Sequence, residues 1–349
     1  MCLSGQYIRE SHRFLLRFSY LGTRYSGMQR LIPKDSATPE RPTIQAVLET
    51  ALNSSLRLQH PAVLKISSRT DSGVHATINT AHVDLLCKSG QNQLTEEIIV
   101  ERVNKFLFKY KQDVILREVR RVPYWFHSRF CVQRRTYIYR IAIPRQCEGS
   151  GCAFRVPLEE KNHCFAVPLP LNIELMQTTC KLFEGFHDFV AFTNTTKDPK
   201  PTIRCINEFS FIPEDVSERE YLECGLVNFF SWWKFTVTAR SFLYHQVRRM
   251  VGAVIAVGSG RVPMEEVSKM LSTKDTLTWN PRIVPAPAQG LHLLKVDYEP
   301  RMLDLNAVPP LWRITEKTLQ TSRSTNVSAT EGAKKIEDIA TISEGRLAS

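Results

Sequence analysis

One short segment of the chain combines a carboxylate, a cation and a glycine in the manner of a catalytic loop. It reads Ser67-Ser68-Arg69-Thr70-Asp71-Ser72-Gly73-Val74-His75-Ala76 and lies between two predicted strands. Glycine permits a positive φ and the close approach of a ligand. A nearby guanidinium favours an ionised carboxylate, which a nucleophile or base requires. The alternative is that Asp71 caps a turn and pairs with Arg69, since aspartate is common in turns.

A second segment places aromatic and basic residues on one predicted strand, Arg134-Arg135-Thr136-Tyr137-Ile138-Tyr139-Arg140. Alternate residues of a strand share a face, so Tyr137 and Tyr139 point the same way. A tyrosine in this position could stack on a nucleobase while the arginines hold phosphates. The alternative is that both rings belong to the core of the sheet.

A third segment, Phe242-Leu243-Tyr244-His245-Gln246-Val247-Arg248-Arg249-Met250-Val251-Gly252, contains the start of a predicted helix. Arg248 lies one turn after Tyr244 and could reach into a cleft. The alternative is that Arg248 and Arg249 both face solvent.

A metal site is not predicted. Cys147, Cys152, His163 and Cys164 are the set with the best claim to one, and their spacing is C-x4-C-x10-H-C. That spacing matches none of the usual paired patterns of zinc ligands.

The distribution of charge favours a polyanionic partner. The chain has 46 Lys and Arg against 35 Asp and Glu, a net charge of +11 over 349 residues. Between Arg117 and Arg145 there are eight arginines and a single acid, Glu118. Arginine suits phosphate, although a solvated basic face is the alternative. The apolar stretches are far shorter than the roughly 20 residues of a membrane span, so no membrane partner is expected.

Hydrophobic periodicity predicts the order β-α-β-β-α-β twice. The first copy has strands over 14–20, 63–67, 79–86 and 114–119, with helices capped by Thr43 and Thr95. The second has strands over 136–143, 206–212, 229–238 and 292–298, a helix opened by Asn172, a helix over 245–257 and a short added helix over 263–271. The predicted fold class is α+β, in which two ferredoxin-like halves join into a continuous, mainly antiparallel sheet with a central cleft.

The same pattern predicts four parts along the chain. They are an N-terminal extension over 1–13, an N-terminal half with the aspartate loop over 14–121, a C-terminal half over 122–299 and a tail over 300–349. The tail is rich in Ser, Thr, Ala, Glu and Lys and has few aromatic residues. Such a composition buries little apolar surface, so we expect the tail to be disordered.

Taken together, these segments resemble the TruA family of tRNA pseudouridine synthases over residues 14–298. Six motifs carry the resemblance in the order of the family: Arg69-Thr70-Asp71-Ser72-Gly73-Val74-His75, Phe126-His127-Ser128-Arg129-Phe130, Arg135-Thr136-Tyr137-Ile138-Tyr139, His187-Asp188-Phe189, Val247-Arg248-Arg249-Met250-Val251-Gly252 and Ala286-Pro287-Ala288-Gln289-Gly290-Leu291. Two positions depart from the family pattern. Gly27-Met28-Gln29-Arg30 replaces Gly-Trp-Gln-Arg, and Ser72 replaces the usual alanine.

The resemblance implies an isomerase that converts uridine to pseudouridine in tRNA. It implies that Asp71 is the catalytic aspartate, that Tyr137 packs on the target base and that Arg248 pairs with Asp71. It also implies an RNA-binding cleft, no cofactor, no catalytic metal and a possible homodimer. We expect Arg69 to bind substrate as well, and the RNA backbone to be bound by a set of four arginines: Arg129, Arg134, Arg135 and Arg249.

Two other functions fit parts of the same pattern. An RNA-binding protein of this fold without catalysis would keep the arginines but would not need Asp71, Tyr137 and Arg248 together. A base-releasing glycosidase would use a second carboxylate. Glu49 and Asp84 are the nearest acids in sequence, and both occupy positions typical of structural residues.

The resemblance is greatest to the eukaryotic branch of the family that is associated with mitochondria. The first 30 residues contain five arginines against one acid, Glu10, as a transit peptide would. We therefore expect a mitochondrial location, with the cytoplasm or nucleus as the alternative.

Overall fold

The computed structural model describes residues 9–30, 41–58, 60–88, 94–145, 156–167, 170–194, 201–215, 230–273 and 279–310. The strands in these ranges are β1 (Arg9–Tyr20), β2 (Lys65–Ile66), β3 (His75–Lys88), β4 (Val114–Val122), β5 (Val132–Pro144), β6 (Phe165–Ala166), β7 (Gly185–Asp188), β8 (Ile203–Pro213), β9 (Phe230–Ala239) and β10 (Leu291–Tyr298). The helices are α1 (Ile44–Leu56), α2 (Glu96–Lys109), α3 (Ile173–Lys181), α4 (Gln246–Gly258) and α5 (Met264–Ser272).

All ten strands belong to one sheet. Its order is β4-β1-β3-β10-β5-β9-β8-β7, with β2 paired to β3 and β6 paired to β5. The first half contributes β4-β1-β3-β2 and the second half contributes β10-β5-β9-β8. Each is the order of a ferredoxin-like unit. The predicted α+β class, with a large and mostly antiparallel sheet, is confirmed.

The two halves meet where β3 pairs with β10. The pairing is parallel and aligns His75 with His292 and Ala76 with Leu293. The strand predicted over 63–67 is reduced to Lys65–Ile66, which pairs with β3 only at Ala81 and His82. Because β2 is so short, the first residues of β3 keep a free edge for β10. An edge paired in this way is protected from association with other chains.

The predicted capping residues begin the first three helices. The hydroxyl of Thr43 accepts a hydrogen bond from the amide of Ala46, and Thr95 and Asn172 do the same at α2 and α3. Such caps satisfy amides that have no partner inside the helix. No helix in the described ranges is both long enough and apolar enough to cross a membrane.

The folded part of the chain extends past both predicted ends. β1 begins at Arg9 rather than at residue 14. Beyond residue 299, Pro300–Leu303 forms a short 3-10 helix, Leu303 is buried, and the indole of Trp125 donates to the carbonyl of Ala307. The first residues of the predicted tail are therefore packed against the fold. Residues 311–349 lie outside the described residues, and the division between residues 121 and 122 stays a prediction.

A second apolar cluster covers the face of the sheet opposite the main core. Tyr137, Tyr139 and Ile141 of β5 belong to the main core, so the alternating residues Arg140 and Ala142 face the other way. Ala142 packs there with Cys164, Phe230 and Trp232. Segment 156–167 crosses this face, and the buried guanidinium of Arg140 binds the carboxylates of Glu160 at 2.7 Å and Glu214 at 2.9 Å.

Two histidines, His75 buried and His292 partly buried, bind the same segment at the junction of the halves. The Nε2 of His75 donates to the carbonyl of Asn162 at 2.7 Å, since its Nδ1 accepts from the amide of Gly22. The Nε2 of His292 donates to the carbonyl of His163 at 3.0 Å. Burial lowers the pKa of His75 to about 4 and that of His292 to about 3, so both rings are neutral at neutral pH.

Acidification should destabilise the fold as the pH falls from about 6.5 towards 4. In this window the unfolded chain binds protons at His75 and His292 that the folded chain does not yet bind, so stability present above pH 6.5 is lost. The expected loss is on the order of 1–3 kcal/mol. Melting temperatures measured across this range test it.

Replacing His292 isolates this contribution from that of the carboxylates. His292→Gln keeps a donor for the carbonyl of His163 but does not titrate, so its melting temperature should fall less than that of the wild type. His60→Gln, at an exposed position, is the control and should follow the wild type. An equal fall in all three proteins would contradict the prediction.

Candidate active site

The Asp71 loop connects β2 to β3 and turns sharply after the aspartate. The amide of Val74 donates to the carbonyl of Asp71 at 3.2 Å, and Gly73 between them has a φ of 81°. Only glycine adopts this conformation without strain. The hydroxyl of Ser72 donates to the carbonyl of Tyr25 at 3.0 Å, a bond that the alanine usual in the family could not make.

Residues on three sides hold the first part of this loop. The amide of Met28 donates to the carbonyl of Thr70 at 3.0 Å, and the Met28 side chain is completely buried. The hydroxyl of Tyr20 meets that of Thr70 at 2.7 Å, and the amide of Asn79 donates to both Tyr20 and the carbonyl of Ser68. The loop is therefore built on β1 and β3 of the first half.

The second half supplies the partner of the carboxylate from the first turn of α4. The Nη1 of Arg248 lies 3.3 Å from Oδ2 of Asp71, and its Nε donates to the carbonyl of Ala286 at 2.7 Å. Gly252 lets segment 284–286 lie close to α4, because a Cβ there would come within 2.2 Å of the carbonyl oxygen of Val284. The structure thus contains the pair that the resemblance implies. Among the described residues, Arg69 forms no ion pair with Asp71.

His245 is a second partner of Asp71 that the sequence analysis did not single out. Its Nε2 lies 3.3 Å from the same carboxylate oxygen, Oδ2. Burial lowers the pKa of His245, against the opposing effect of Asp71, which favours the neutral form of the ring. The residue precedes α4, so Asp71 also lies at the N-terminus of that helix, where the helix dipole favours an anion.

A chain of polar contacts continues from His245 away from the carboxylate. The Nδ1 of His245 lies 2.8 Å from the side-chain amide of Asn194, and the Oδ1 of Asn194 accepts from Arg249. Arg249 also donates to the carbonyl of Ala191, and its guanidinium stacks 4.4 Å from the centre of the Trp279 ring. Two nitrogens of the half-buried Arg249 guanidinium thus donate within the protein, and its contact with the RNA backbone stays a prediction.

The structure places Tyr137 near Asp71 and Tyr139 near Arg248. Tyr137 is largely buried, its ring lies edge-on to Phe242 at 5.2 Å, and its hydroxyl is bonded to Ser68. Burial raises its pKa to about 12, so it remains a phenol. Tyr139 is completely buried and donates to the carbonyl of Pro287. The core interpretation thus applies to both rings, and Tyr137 in addition borders the site.

Arg135 is a buried connector rather than a residue that faces RNA. Its guanidinium donates to the hydroxyl of Ser68 at 2.8 Å, to the carbonyl of Ser67 at 3.0 Å and to the carbonyl of Arg240. These bonds tie the start of the Asp71 loop to β5 and to the end of β9. The sequence assigned Arg135 to the RNA backbone because the segment is basic. The burial of Arg135 contradicts this assignment, because its hydrogen-bond donors are bonded to groups within the protein.

Three exposed arginines beside the loop lack partners in the described part of the chain. Arg69, Arg129 and Arg240 form no hydrogen bond or ion pair there through the guanidinium, and Arg129 only lies over the ring of Phe130 at 5.8 Å. Partial burial and the positive charge of Arg129 lower the pKa of Arg69, which shows that the two cations are close. Arg134, also predicted to bind RNA, is paired with Asp297 at 3.0 Å.

The geometry does not favour a glycosidase or a metal centre at this site. Glu49 binds the amide of Leu64 and the guanidinium of Arg30, and Asp84 binds Arg13. Neither acid is a partner of Asp71.

Of the four residues considered for zinc, Cys147 and Cys152 lie outside the described residues. His163 clusters instead with His75 and His292, whose ligand atoms lie within 4.8 Å of one another. Both nitrogens of His75 are already bonded to backbone groups, so a cation there would have to displace those bonds.

Comparison with known proteins gives one consistent result. Residues 179–299 match the family model described as "tRNA pseudouridine synthase". The chain is 34% identical to "tRNA pseudouridine synthase-like 1" of Xenopus laevis over 82% of its own length and 91% of that protein. It is 34% identical to the human protein of the same name, covering 90% of it, and 31% identical to "tRNA pseudouridine synthase A" of Limosilactobacillus reuteri (strain DSM 20016), covering 97% of it. With these relatives, and with the aspartate loop and its arginine in place, the chain belongs to the TruA family of tRNA pseudouridine synthases.

Proposed function

We propose that this protein isomerises specific uridines of tRNA to pseudouridine, with Asp71 as the nucleophile. The observation that carries the proposal is the position of Asp71. Its carboxylate comes from a loop of the first half and meets Arg248 of the second half at 3.3 Å, beside the phenol of Tyr137. A guanidinium and the N-terminus of α4 both lie beside the carboxylate that would act as the nucleophile.

The reaction requires few groups besides this carboxylate. The bond between N1 and C1′ breaks with its electrons on N1, the uracil rotates, and C5 forms a new bond to C1′. C5 then loses its proton and N1 gains one, so the net change is an isomerisation without an oxidant or reductant. Asp71 can attack C1′ or C6, or take part through a glycal intermediate. The detached base must be held and water excluded, and the aromatic ring of Tyr137 near Asp71 is suited to this.

The unpaired arginines fit a polyanionic substrate. Arg69, Arg129 and Arg240 lie near the loop and near one another without carboxylate partners in the described ranges. Some other arginines of the described chain are paired with acids, among them Arg13, Arg17, Arg24 and Arg30. Unpaired cations repel each other, and phosphates relieve this repulsion. We therefore assign the RNA backbone to these three residues. The homodimer implied by the resemblance stays a prediction.

An RNA-binding protein of the same fold that lacks catalysis is the second candidate. It would need the arginines but would gain nothing from an aspartate held at the N-terminus of a buried helix. A charged carboxylate is costly to place beside a phosphate-binding surface. Several hydrogen bonds hold the Asp71 loop in its position. This supports the enzyme over the binding protein.

Replacing Asp71 should separate the two candidates. Asp71→Asn is nearly isosteric and should fold and bind tRNA with unchanged affinity, while pseudouridine formation falls to background because the nucleophile is lost. The assay is the release of tritium from tRNA labelled at C5 of uridine, with binding measured in parallel.

Asp84→Asn provides the matched control. It makes the same chemical change in an exposed ion pair with Arg13, and activity should remain. Activity in clean Asp71→Asn protein would contradict the proposed role. A wild-type protein that binds tRNA without modifying it would establish the binding protein instead, and released uracil would establish a glycosidase.

Affinity for tRNA should depend steeply on salt and should rest on the three unpaired arginines. Each phosphate contact contributes a slope of roughly 0.7–0.9 to the fall of log affinity with log salt concentration. Arg69→Gln, Arg129→Gln and Arg240→Gln should each reduce this slope by about that amount. Arg24→Gln also removes one positive charge, but from an ion pair with Asp113, and it should leave the slope unchanged. A slope that the three variants leave unchanged would rule out this surface.

The mitochondrial location remains a prediction that rests on the branch of the family. Four of the five arginines counted for a transit peptide have carboxylate partners in the fold, which are Asp84, Glu118, Asp113 and Glu49. Residues 1–8 lie outside the described residues. We expect the full-length protein fused to a fluorescent reporter to enter mitochondria. A fusion of residues 1–25 alone shows whether these residues suffice, and a cytoplasmic or nuclear signal from the full-length fusion would overturn the prediction.

A further inference from the structure

The backbone at His245 departs from the usual helix start. His245 occupies the N-cap position of α4 with a φ of 60° and makes no side-chain cap. A left-handed conformation is unfavourable for a residue with a Cβ, and N-caps are usually Ser, Thr, Asp or Asn. Gln246 maintains the turn, since its side chain accepts from the amide of Leu243. The conformation directs the imidazole at Asp71 instead of at the helix.

The contact between Asn194 and Arg249 determines which nitrogen of His245 carries the proton. A guanidinium can only donate, so the oxygen of the Asn194 side chain must face Arg249. The amide nitrogen of Asn194 then faces Nδ1 of His245 at 2.8 Å and donates to it. Nδ1 is therefore unprotonated, and the proton of the neutral ring lies on Nε2, which faces Asp71.

Both partners of Asp71 bind the same oxygen. Arg248 Nη1 and His245 Nε2 each lie 3.3 Å from Oδ2, and within the described residues Oδ1 has no hydrogen-bond partner. The hydrogen bond from Arg248 and the nearby Nε2 of His245 both act on this one oxygen and restrict the rotation of the carboxylate. The other oxygen is left to react.

We propose that His245 and Asn194 are positioning residues for Asp71, which orient the carboxylate so that Oδ1 faces the target nucleotide. The inference rests on the proposed function, because it assigns the support of the same nucleophile. Within the described ranges, His245 is surrounded by five side chains. Asp71 faces it from the loop, Arg248 and Arg249 from α4, Asn194 from the segment after β7, and the Tyr244 ring stacks on it at 3.9 Å.

Two replacements of His245 separate donation from backbone geometry. His245→Gln keeps an N–H group near the position of Nε2, whereas His245→Leu has a similar size and no donor. Glutamine and leucine both carry a Cβ and are equally unfavourable at the positive φ of position 245. We expect His245→Leu to lower kcat by roughly 10- to 100-fold with the KM for tRNA unchanged. His245→Gln should recover most of this loss.

Asn194 provides a test that does not alter the histidine. Asn194→Ala should lower kcat by roughly 10-fold and leave KM unchanged. Asn104→Ala is the matched control, because Asn104 also uses both ends of its side chain, on the backbone of Leu116. It should lower the melting temperature without changing kcat.

Nitrogen NMR of histidine-labelled protein reports the proton directly, and the signal of His245 is identified by its loss in His245→Gln. The wild type should show a neutral ring protonated at Nε2. In Asn194→Asp the neighbour can only accept, so Nδ1 must also carry a proton and the ring should become an imidazolium at neutral pH.

The outcomes separate this inference from the proposed function. A wild-type protein without activity on tRNA would remove the proposed function. An active wild type with equal losses in His245→Leu and His245→Gln, or with full activity in His245→Leu, would overturn the positioning role alone. A wild-type ring protonated at Nδ1, or a ring unchanged in Asn194→Asp, would also overturn it.

Discussion

The contact between Asp71 and Arg248 exists only because the two halves of the chain share one sheet. The residues are separated by 177 positions, and each is fixed within its own half, Asp71 by a loop on β3 and Arg248 by a buried helix. The parallel pairing of β3 with β10 sets the distance between these two supports. A shift of this register by one residue would turn the first residues of β3 to the other face. The distance between Asp71 and Arg248 therefore depends on the register in which β3 pairs with β10.

The arginines of this protein divide into two kinds according to what satisfies their donors. Arg135 is buried and Arg249 is half-buried, both donate to carbonyl oxygens of the protein, and burial lowers the pKa of both. A buried guanidinium without a carboxylate is tolerated only when several acceptors meet it. These residues stiffen the protein around the site, whereas the exposed Arg69 and Arg129 remain available to a ligand. A basic sequence segment contains both kinds.

The sequence predicts those parts of the structure that depend on neighbours along the chain. The caps at Thr43, Thr95 and Asn172, the period of each element and the positive φ of Gly73 are local properties. The burial of Arg135 and the role of His245 depend on partners 50 to 180 positions away, and no periodicity contains that information. The shortness of β2 belongs to the same class, since β10 takes the edge that a longer strand would occupy. One feature of the sequence does indicate a special role for His245. It lies at a predicted helix start, where a capping residue such as Ser, Thr, Asp or Asn is expected.

The buried helix α4 explains how the fold tolerates an unfavourable residue at its most constrained point. A missing cap costs about 1 kcal/mol and a left-handed residue costs roughly 1–2 kcal/mol. Against this, α4 buries six large apolar side chains, which are Val247, Met250, Val251, Val254, Ile255 and Val257. Each of these contributes about 1.5–3 kcal/mol. The free energy gained by burying these side chains is several times the cost of the missing cap and of the left-handed residue. The first turn of α4 can therefore hold residues that position Asp71 instead of residues that cap the helix. An exposed helix held mainly by its caps could not present a histidine and an arginine to one carboxylate oxygen in this way.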